Sequence, residues 1–313
     1  MSATPIVIDT DPGIDDVVAL ALALRSPELS VIALTTSYGN APLEATTRNA
    51  HHLLGLLGRS DVPIHPGADR PLERDLVTAP ETHGVSGVGY APVPPAPPVD
   101  PQPQILLDVL ADVDRPVTLV TLGPLTNLAQ AVARDRSLVR RRVVRHIGMF
   151  GNIRERGNTN RWADFNAWCD PEAADIVLRA GLDTVMVGLD VTRRLTFART
   201  AVEQYGESTD DLTRWLAHAL QFYVEFHRNQ ERLDGCVVND VLPVAELIEP
   251  GVLTLAQLSL IVDLEESEHR GHTREAVGGT PTAVALAVKT DRVHDLLTRV
   301  FGRAPQEREI RRR

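Results

Sequence analysis

The feature that most constrains the fold is an alternation of short β-like apolar runs with longer helical ones along most of the chain. Because a helix that connects two neighbouring strands leaves them parallel, the alternation predicts an α/β fold. We expect three layers, α/β/α, around a mostly parallel central sheet. The predicted strands are residues 6–9, 31–36, 62–65, 117–122, 143–148, 184–189, 258–264 and 282–288, and the predicted helices are 15–25, 43–57, 105–111, 126–133, 172–179, 211–228, 241–248 and 292–301.

Charge and composition restrict the partners. The formal net charge is −10, which disfavours nucleic acid and anionic membranes as partners. The two cysteines form no framework and no CxxC pair, which favours reduced thiols. No apolar stretch reaches the roughly 20 residues of a membrane span. The first strand begins at once, with no signal peptide before it, so we expect a cytoplasmic protein.

One segment interrupts the alternation. Residues 91–103 contain seven prolines, which remove the donors a strand needs. The alternation resumes unchanged afterwards, so we interpret the segment as a surface loop within a single domain spanning 1–313. Residues 303–313 end in three arginines and are predicted to form a frayed basic tail.

Four aspartates lie within eight residues directly after the first predicted strand: Asp9, Asp11, Asp15 and Asp16. Helix capping explains one or two of them. The rest need a cation, basic partners or solvent, and solvent alone fits poorly because the next helix is apolar enough to be buried. Carboxylate oxygens at this density indicate Ca²⁺ or Mg²⁺.

Small and polar residues also follow three other predicted strands, at 37–40, 123–127 and 149–152. Ligands of open parallel sheets bind at the carboxyl ends of the strands, so these segments should converge on one rim with the aspartates.

Asp9-Thr10-Asp11 also matches the Asp-x-Asp of haloacid-dehalogenase-type phosphatases, in which the first aspartate is the nucleophile. The sequence does not favour that alternative. Pro12-Gly13 follows the pair, and the only lysine of the chain is Lys289, near the C-terminus.

Residues 9–16 strongly resemble the N-terminal signature of the nucleoside hydrolases, also called inosine-uridine preferring nucleoside N-ribohydrolases. Further segments resemble the family in the expected order, over nearly the whole chain: 39–40, 83–89, 122–127, 157–158, 164–173, 188–192 and 270–273. The resemblance implies a Rossmann-like nucleoside hydrolase fold and a homodimer or homotetramer.

The resemblance also implies hydrolysis of ribonucleosides to ribose and free base, with one Ca²⁺ in the pocket. The residues it assigns to the ion are Asp11, Asp16, the Thr126 backbone carbonyl and Asp240. Asp11 would also take the proton of a calcium-bound water. The residues it assigns to the substrate are Asp15, Asn40, Asn158, Asp164 and Asn166 for the ribose hydroxyls, with Met149 on the pocket floor.

Two positions depart from the family pattern. Asp164 stands where the family usually has a glutamate, and Asn239 precedes Asp240 where many members have a histidine that protonates the leaving base. Asparagine cannot act as a general acid at neutral pH. We expect Asn239 and His83 to contact the substrate. His227 lies on the long helix at 211–228, and we favour a surface position for it over one that faces the pocket. The departures leave an alternative open, a catalytically impaired Ca²⁺-dependent protein that binds nucleosides or ribose.

Overall fold

The structure is a computed structural model that describes residues 3–102 and 104–302. Its strands are β1 (Thr4–Thr10), β2 (Leu29–Thr36), β3 (Ile64–Pro66), β4 (Val117–Thr121), β5 (Val143–Gly148), β6 (Thr184–Met186), β7 (Thr196–Ala198), β8 (Gly235–Val237), β9 (Leu253–Val262), β10 (Thr273–Glu275) and β11 (Thr280–Val288). Its helices are α1 (Ile14–Arg25), α2 (Leu43–Leu57), α3 (Pro80–His83), α4 (Ile105–Asp112), α5 (Thr126–Arg142), α6 (Phe165–Cys169), α7 (Pro171–Leu178), α8 (Leu189–Thr192), α9 (Arg199–Gly206), α10 (Asp211–Glu231), α11 (Val241–Ile248) and α12 (Thr290–Phe301).

Nine strands form one sheet in the order β10-β9-β11-β6-β5-β4-β1-β2-β3. From β11 to β3 all neighbours are parallel, and β9 runs antiparallel to both β11 and β10. β7 and β8 form a separate antiparallel pair. The first strand, β1, therefore lies inside the parallel part of the sheet, with a partner on each side.

Both faces of the sheet are covered. Ile6 and Ile8 of β1 pack in one apolar cluster with α1, α2, α10, α11 and α12. Val7, which points the other way, packs in a second cluster with α4, α5 and α7. This pleated alternation over a strand buried on both sides confirms the predicted three-layer α/β/α arrangement.

The predicted elements correspond closely to the observed ones, and the largest differences in bounds concern α5, β6 and β9, which begins at Leu253 and not at residue 258. α5 continues to Arg142, well beyond the predicted end at residue 133, across a kink at Asp135 where φ is −147° and ψ is 79°. β6 ends at Met186 because the chain turns into the short helix α8. Elements of three to five residues, such as α3, α8 and β8, are too short to show a period in the sequence.

Residues 91–102 carry no helix or strand, and most of them are exposed. Trp215 Nε1 donates to the Pro92 carbonyl at 2.8 Å, which ties the start of this segment to α10. Pro103 and the predicted basic tail, 303–313, lie outside the described residues. Among the described helices, none combines the length and apolar character needed to cross a membrane.

Candidate active site

The sheet places the acidic turn at the rim where its parallel strands end. β1 lies between β2 and β4, so its carboxyl end opens beside theirs. Asp15 and Asp16 lie in the first turn of α1, where the helix dipole favours negative charge. Asp9, Asp11, Asp15 and Asp16 are all buried, with exposures of 4 % or less. Solvent therefore cannot be what compensates their charge.

Asp9 lies at the base of the acidic turn, where two hydrogen bonds hold its carboxylate. Its Oδ1 accepts hydrogen bonds from the Thr35 hydroxyl and from Asn127 Nδ2. Burial raises the pKa of Asp9 to about 6, and these two donors oppose that rise. Asp9 does not line the cavity described below. Its contacts agree with a supporting role.

Asn40 holds two carboxylates of the turn. Its Nδ2 donates to Asp16 Oδ2 at 2.8 Å and to the Asp11 carbonyl at 3.2 Å, and its backbone N–H donates to Asp11 Oδ2 at 2.7 Å. The other oxygen of Asp16 accepts from the Thr10 hydroxyl at 2.6 Å. Two carboxylates are thereby fixed in orientation before any ligand arrives.

The second oxygen of Asp11 is different. Asp11 Oδ1 is buried and has no hydrogen-bond partner among the described residues. The backbone closes tightly around this carboxylate, since a Cβ at Gly39 would lie 2.0 Å from Oδ2 and one at Gly123 2.3 Å from Oδ1. Burial first, and then the charge of Asp16, raise the pKa of Asp11 well above its usual value. An unpaired buried carboxylate oxygen is costly, so it is suited to a cation or a water proton.

Asp15, Asp16 and Asp240 bring carboxylate oxygens within 4.8 Å of one another. Asp240 immediately precedes α11 and is 3 % exposed. Burial raises its pKa well above the usual range, and the charges of Asp15, Asp16 and Asp11 raise it further. Such mutual repulsion is relieved when a divalent cation binds the oxygens, and this donor set fits a hard metal ion.

A cavity of about 820 Å³, including its open mouth, lies above the carboxylates. Asp240 lines it, whereas Asp11 and Asp16 lie beneath its surface with no exposed area. All eight residues predicted to contact the substrate line this cavity: Asp15, Asn40, His83, Met149, Asn158, Asp164, Asn166 and Asn239.

Thr126 is not brought to this cavity. It is the first residue of α5, so its carbonyl is directed along the helix. Its hydroxyl donates to Asp170 at 2.7 Å and lies 2.9 Å from the Tyr38 hydroxyl. Leu122 and Met149 do line the cavity, and their backbone carbonyls accept from Asn166 Nδ2 at 2.6 and 2.9 Å. The expected Thr126 ligand does not fit this geometry.

Asp164 caps α6 and faces the cavity at the same time. Its Oδ1 accepts from the backbone N–H groups of Gly151 at 2.8 Å and Ala167 at 2.9 Å. Its Oδ2 is buried without a hydrogen-bond partner among the described residues. Burial raises the pKa of Asp164 to about 6. One oxygen therefore fixes the side chain and the other is left for a ligand.

Asn239 and His83 are both held by the acidic turn. Asn239 donates to Asp15 Oδ2 from its backbone N–H at 3.2 Å and from Nδ2 at 3.0 Å. His83 Nδ1 accepts from the Ile14 N–H at 3.1 Å, so its proton is on Nε2 when the ring is neutral. Burial lowers the pKa of His83 to about 4.

The remaining wall of the cavity comes largely from α10. Tyr223, Phe226 and His227 of α10 line it, together with Arg193 and Glu231. The interpretation of His227 as a surface residue was wrong, since it is 6 % exposed. The signal was present in the sequence: residues 223, 226 and 227 have the i, i+3, i+4 spacing of one helical face.

The strand-end carboxylates, the polar cavity above them and the three-layer fold together form a small-molecule site that is able to hold a metal ion. The family model for the inosine-uridine preferring nucleoside hydrolases matches residues 6–295, and the chain belongs to that family. The family is metal-dependent, and the cluster of Asp15, Asp16 and Asp240 is able to hold such an ion.

Two relatives align with this chain over most of their length. The pyrimidine-specific ribonucleoside hydrolase RihA of Photobacterium profundum is 38% identical over 274 residues, 86% of this chain and 87% of the relative. RihA of Klebsiella pneumoniae subsp. pneumoniae is 36% identical over 305 residues, 94% of this chain and 97% of the relative.

Solved structures give the same fold. The plant nucleoside hydrolase PpNRh1 superposes with a TM-score of 0.89 at 34% identity, covering 96% of this chain and 99% of its own. A purine-preferring ribonucleoside hydrolase from Gardnerella vaginalis superposes with a TM-score of 0.88 at 28% identity, covering 96% of this chain and 98% of its own.

Proposed function

We propose that this chain hydrolyses the N-glycosidic bond of ribonucleosides with Ca²⁺ as its ion and Asp11 as the general base. The observation that carries the proposal is Asp11 Oδ1. It is a buried carboxylate oxygen without a partner among the described residues, and it lies beside three converging carboxylates and beneath a polar cavity. Hydrolases of this family are metal-dependent, and oxygen donors in this number suit Ca²⁺.

The ion would be held by Asp11, Asp16 and Asp240, with a backbone ligand from the carbonyl of Leu122, which lines the cavity and precedes the glycine packed against Asp11 Oδ1. When bound, it would fix the ribose diol and lower the pKa of an attacking water. Asp11 Oδ1 then accepts the proton of that water. Its other oxygen stays bonded to the Asn40 N–H, which keeps the carboxylate oriented during the transfer.

The sugar lies among side chains whose polar atoms are already oriented. Asp15 Oδ2 is held by Asn239, and Asp164 Oδ2 is directed to the cavity by the cap that fixes Oδ1. Breaking the C1′–N bond builds positive charge on the ribose ring, as in glycoside hydrolysis. Buried carboxylates around the ring stabilise that charge. Groups paired with a 2′-hydroxyl are left unpaired by deoxyribose, so ribose is the sugar we propose.

We further propose pyrimidine ribonucleosides as the preferred substrates. The relatives that support this are named as pyrimidine-specific and are 38% and 36% identical over 86% and 94% of the chain. The solved relative named as purine-preferring is more distant, at 28% identity.

The test is steady-state hydrolysis of uridine, cytidine, inosine and deoxyuridine, with Ca²⁺ and with a chelator. The proposal predicts turnover of the ribonucleosides in Ca²⁺, a higher kcat/KM for uridine and cytidine than for inosine, and little turnover of deoxyuridine. Uridine that binds in Ca²⁺ without being cleaved would contradict it and support the binding-protein alternative.

A further inference from the structure

We infer that His227 is the general acid that protonates the leaving base, a role that Asn239 cannot fill. The inference rests on the hydrolysis proposed above and adds the residue that activates the leaving group.

The geometry of His227 leaves one ring nitrogen for the cavity. The residue lies on α10, one turn after Tyr223, and its Nδ1 is 2.8 Å from the Tyr223 carbonyl oxygen. A carbonyl only accepts, so Nδ1 carries a proton. The ring also lies against the rings of Tyr223 and Phe226, with centroids 4.8 and 5.2 Å away. The backbone bond and these contacts orient the ring, and Nε2 is the nitrogen available to a substrate.

The competing histidine is poorly suited to the role. His83 Nδ1 accepts the Ile14 N–H, so protonating that nitrogen would break the bond. Protonating His227 at Nε2 keeps its bond to Tyr223 intact. Of the two cavity histidines, only His227 can therefore become cationic without losing a backbone hydrogen bond.

Several charged groups surround His227. Burial lowers its pKa most strongly, and the hydrogen bond to the Tyr223 carbonyl raises it. The charges of Glu231 and Asp15 also raise it, and Arg193 lowers it. His83 faces the same space and would repel a cationic ring. The net effect lowers the pKa of His227, so the cationic form is favoured at acidic pH and is lost as the pH rises.

Asp11 accepts one proton for each proton that His227 gives to the leaving base. The C1′–N bond breaks with its electron pair on the base, and the Nε2 proton of His227 moves to the base. The water oxygen bonds to C1′, and its proton moves to Asp11. Exchange with solvent then returns a proton to His227 and removes one from Asp11, so that one water is consumed for each ribose and base released.

The experiment compares uridine with p-nitrophenyl riboside, whose leaving group needs no acid. In His227→Ala and the bulkier His227→Gln, kcat/KM for uridine should fall by about 10²-fold or more, and that for p-nitrophenyl riboside should stay within about threefold of wild type. His218→Ala, on the exposed side of α10, is the matched control. The wild-type uridine profile should fall at high pH along a limb that both variants lack.

Equal losses for both substrates, or uridine hydrolysis retained in both variants, would overturn the inference. A thermal melt of each variant separates loss of folding from loss of the acid. Wild-type protein that cleaves neither substrate in Ca²⁺ would instead contradict the proposed function, and this inference with it.

Discussion

Asn239 donates two hydrogen bonds to one oxygen of Asp15, from its backbone N–H at 3.2 Å and from Nδ2 at 3.0 Å. These two residues are separated by 224 positions in the chain, and the pair joins the start of α1 to the turn before α11. The residue at the position that departs from the family pattern is therefore directed at Asp15, and we treat it as a positioning residue.

Replacing Asn239 should harm all substrates alike. Asn239→Ala removes one of the two donors to Asp15, so the ribose contact loosens, and kcat/KM should fall about 10-fold for uridine and for p-nitrophenyl riboside, equivalent to about 1.4 kcal/mol of a charge-assisted hydrogen bond. Asn239→His should leave the ratio of uridine to inosine turnover unchanged. A changed ratio in the kinetic panel would show that residue 239 contacts the base.

The two carboxylate oxygens of Asp164 differ in role: Oδ1 caps α6, and Oδ2 is left for a ligand. Asp164→Asn keeps a good helix cap and removes the carboxylate at the cavity, so KM should rise at least 10-fold with little change in Tm. Asp164→Glu restores the residue usual in the family but lengthens the side chain, and it should cost about 1 kcal/mol of stability through the lost cap. Kinetics and thermal melts of the two variants check this, and a destabilised Asp164→Asn with normal KM would contradict it.

Binding of Ca²⁺ should raise the free energy of unfolding and the Tm. Since the carboxylates of Asp15, Asp16 and Asp240 converge in the fold, Ca²⁺ should bind the native state and raise its free energy of unfolding by about 2.7 kcal/mol at a hundred times its Kd. Chelation should lower Tm, and Asp240→Asn should reduce the response to Ca²⁺. Asp61→Asn, an exposed carboxylate paired with Arg59, should respond like wild type. An identical Tm with ion and with chelator would argue against a bound cation.

His146 should make the fold sensitive to acid. It lies in β5 between the hydroxyls of Thr121 at 2.9 Å and Thr184 at 3.2 Å, and burial lowers its pKa to about 3. The unfolded chain takes up a proton near pH 6.5 and the native state does not, so this contribution to stability is present above pH 6.5 and is lost as the pH falls toward 3.

The comparison is with His146→Gln, which keeps hydrogen-bonding groups but does not titrate. From pH 6.5 to pH 5, the stability advantage of wild type should shrink by about 2 kcal/mol, measured by urea unfolding. The exposed His218→Gln should leave the pH dependence as in wild type. A constant difference between wild type and His146→Gln would mean that His146 titrates alike in both states.

The long elements were predictable because their residues repeat a physical pattern. β1 is apolar on both faces because helices cover both sides of a parallel strand, and α10 keeps a buried stripe over 21 residues. The small β7 and β8 pair and the one-turn helices α3 and α8 have no such pattern. They are held by contacts between segments far apart in the chain, which a single sequence does not display.

The site was predictable in part for the same reason. Strand ends identified Asp11, Asn40 and Met149, because parallel topology brings them to one rim. His227 lies on a helix remote from those ends. Its spacing to Tyr223 and Phe226 puts the three on one helical face, and the packing of α10 over the rim brings that face to the cavity. Thr126 was misplaced because a motif fixes the order of residues but not which carbonyl faces the site, and a shift of four residues separates Thr126 from Leu122.

The central claim concerns Asp11, and the most direct measurement is turnover of p-nitrophenyl riboside by Asp11→Asn in saturating Ca²⁺, with binding measured in parallel. The amide keeps the shape of the carboxylate but cannot take a proton, so kcat should fall by about 10³-fold, and Kd for the substrate should change little. Occupancy of the ion in the variant is read separately by calorimetry. Turnover near the wild-type rate, with the ion bound, would contradict the assignment of Asp11 as the base.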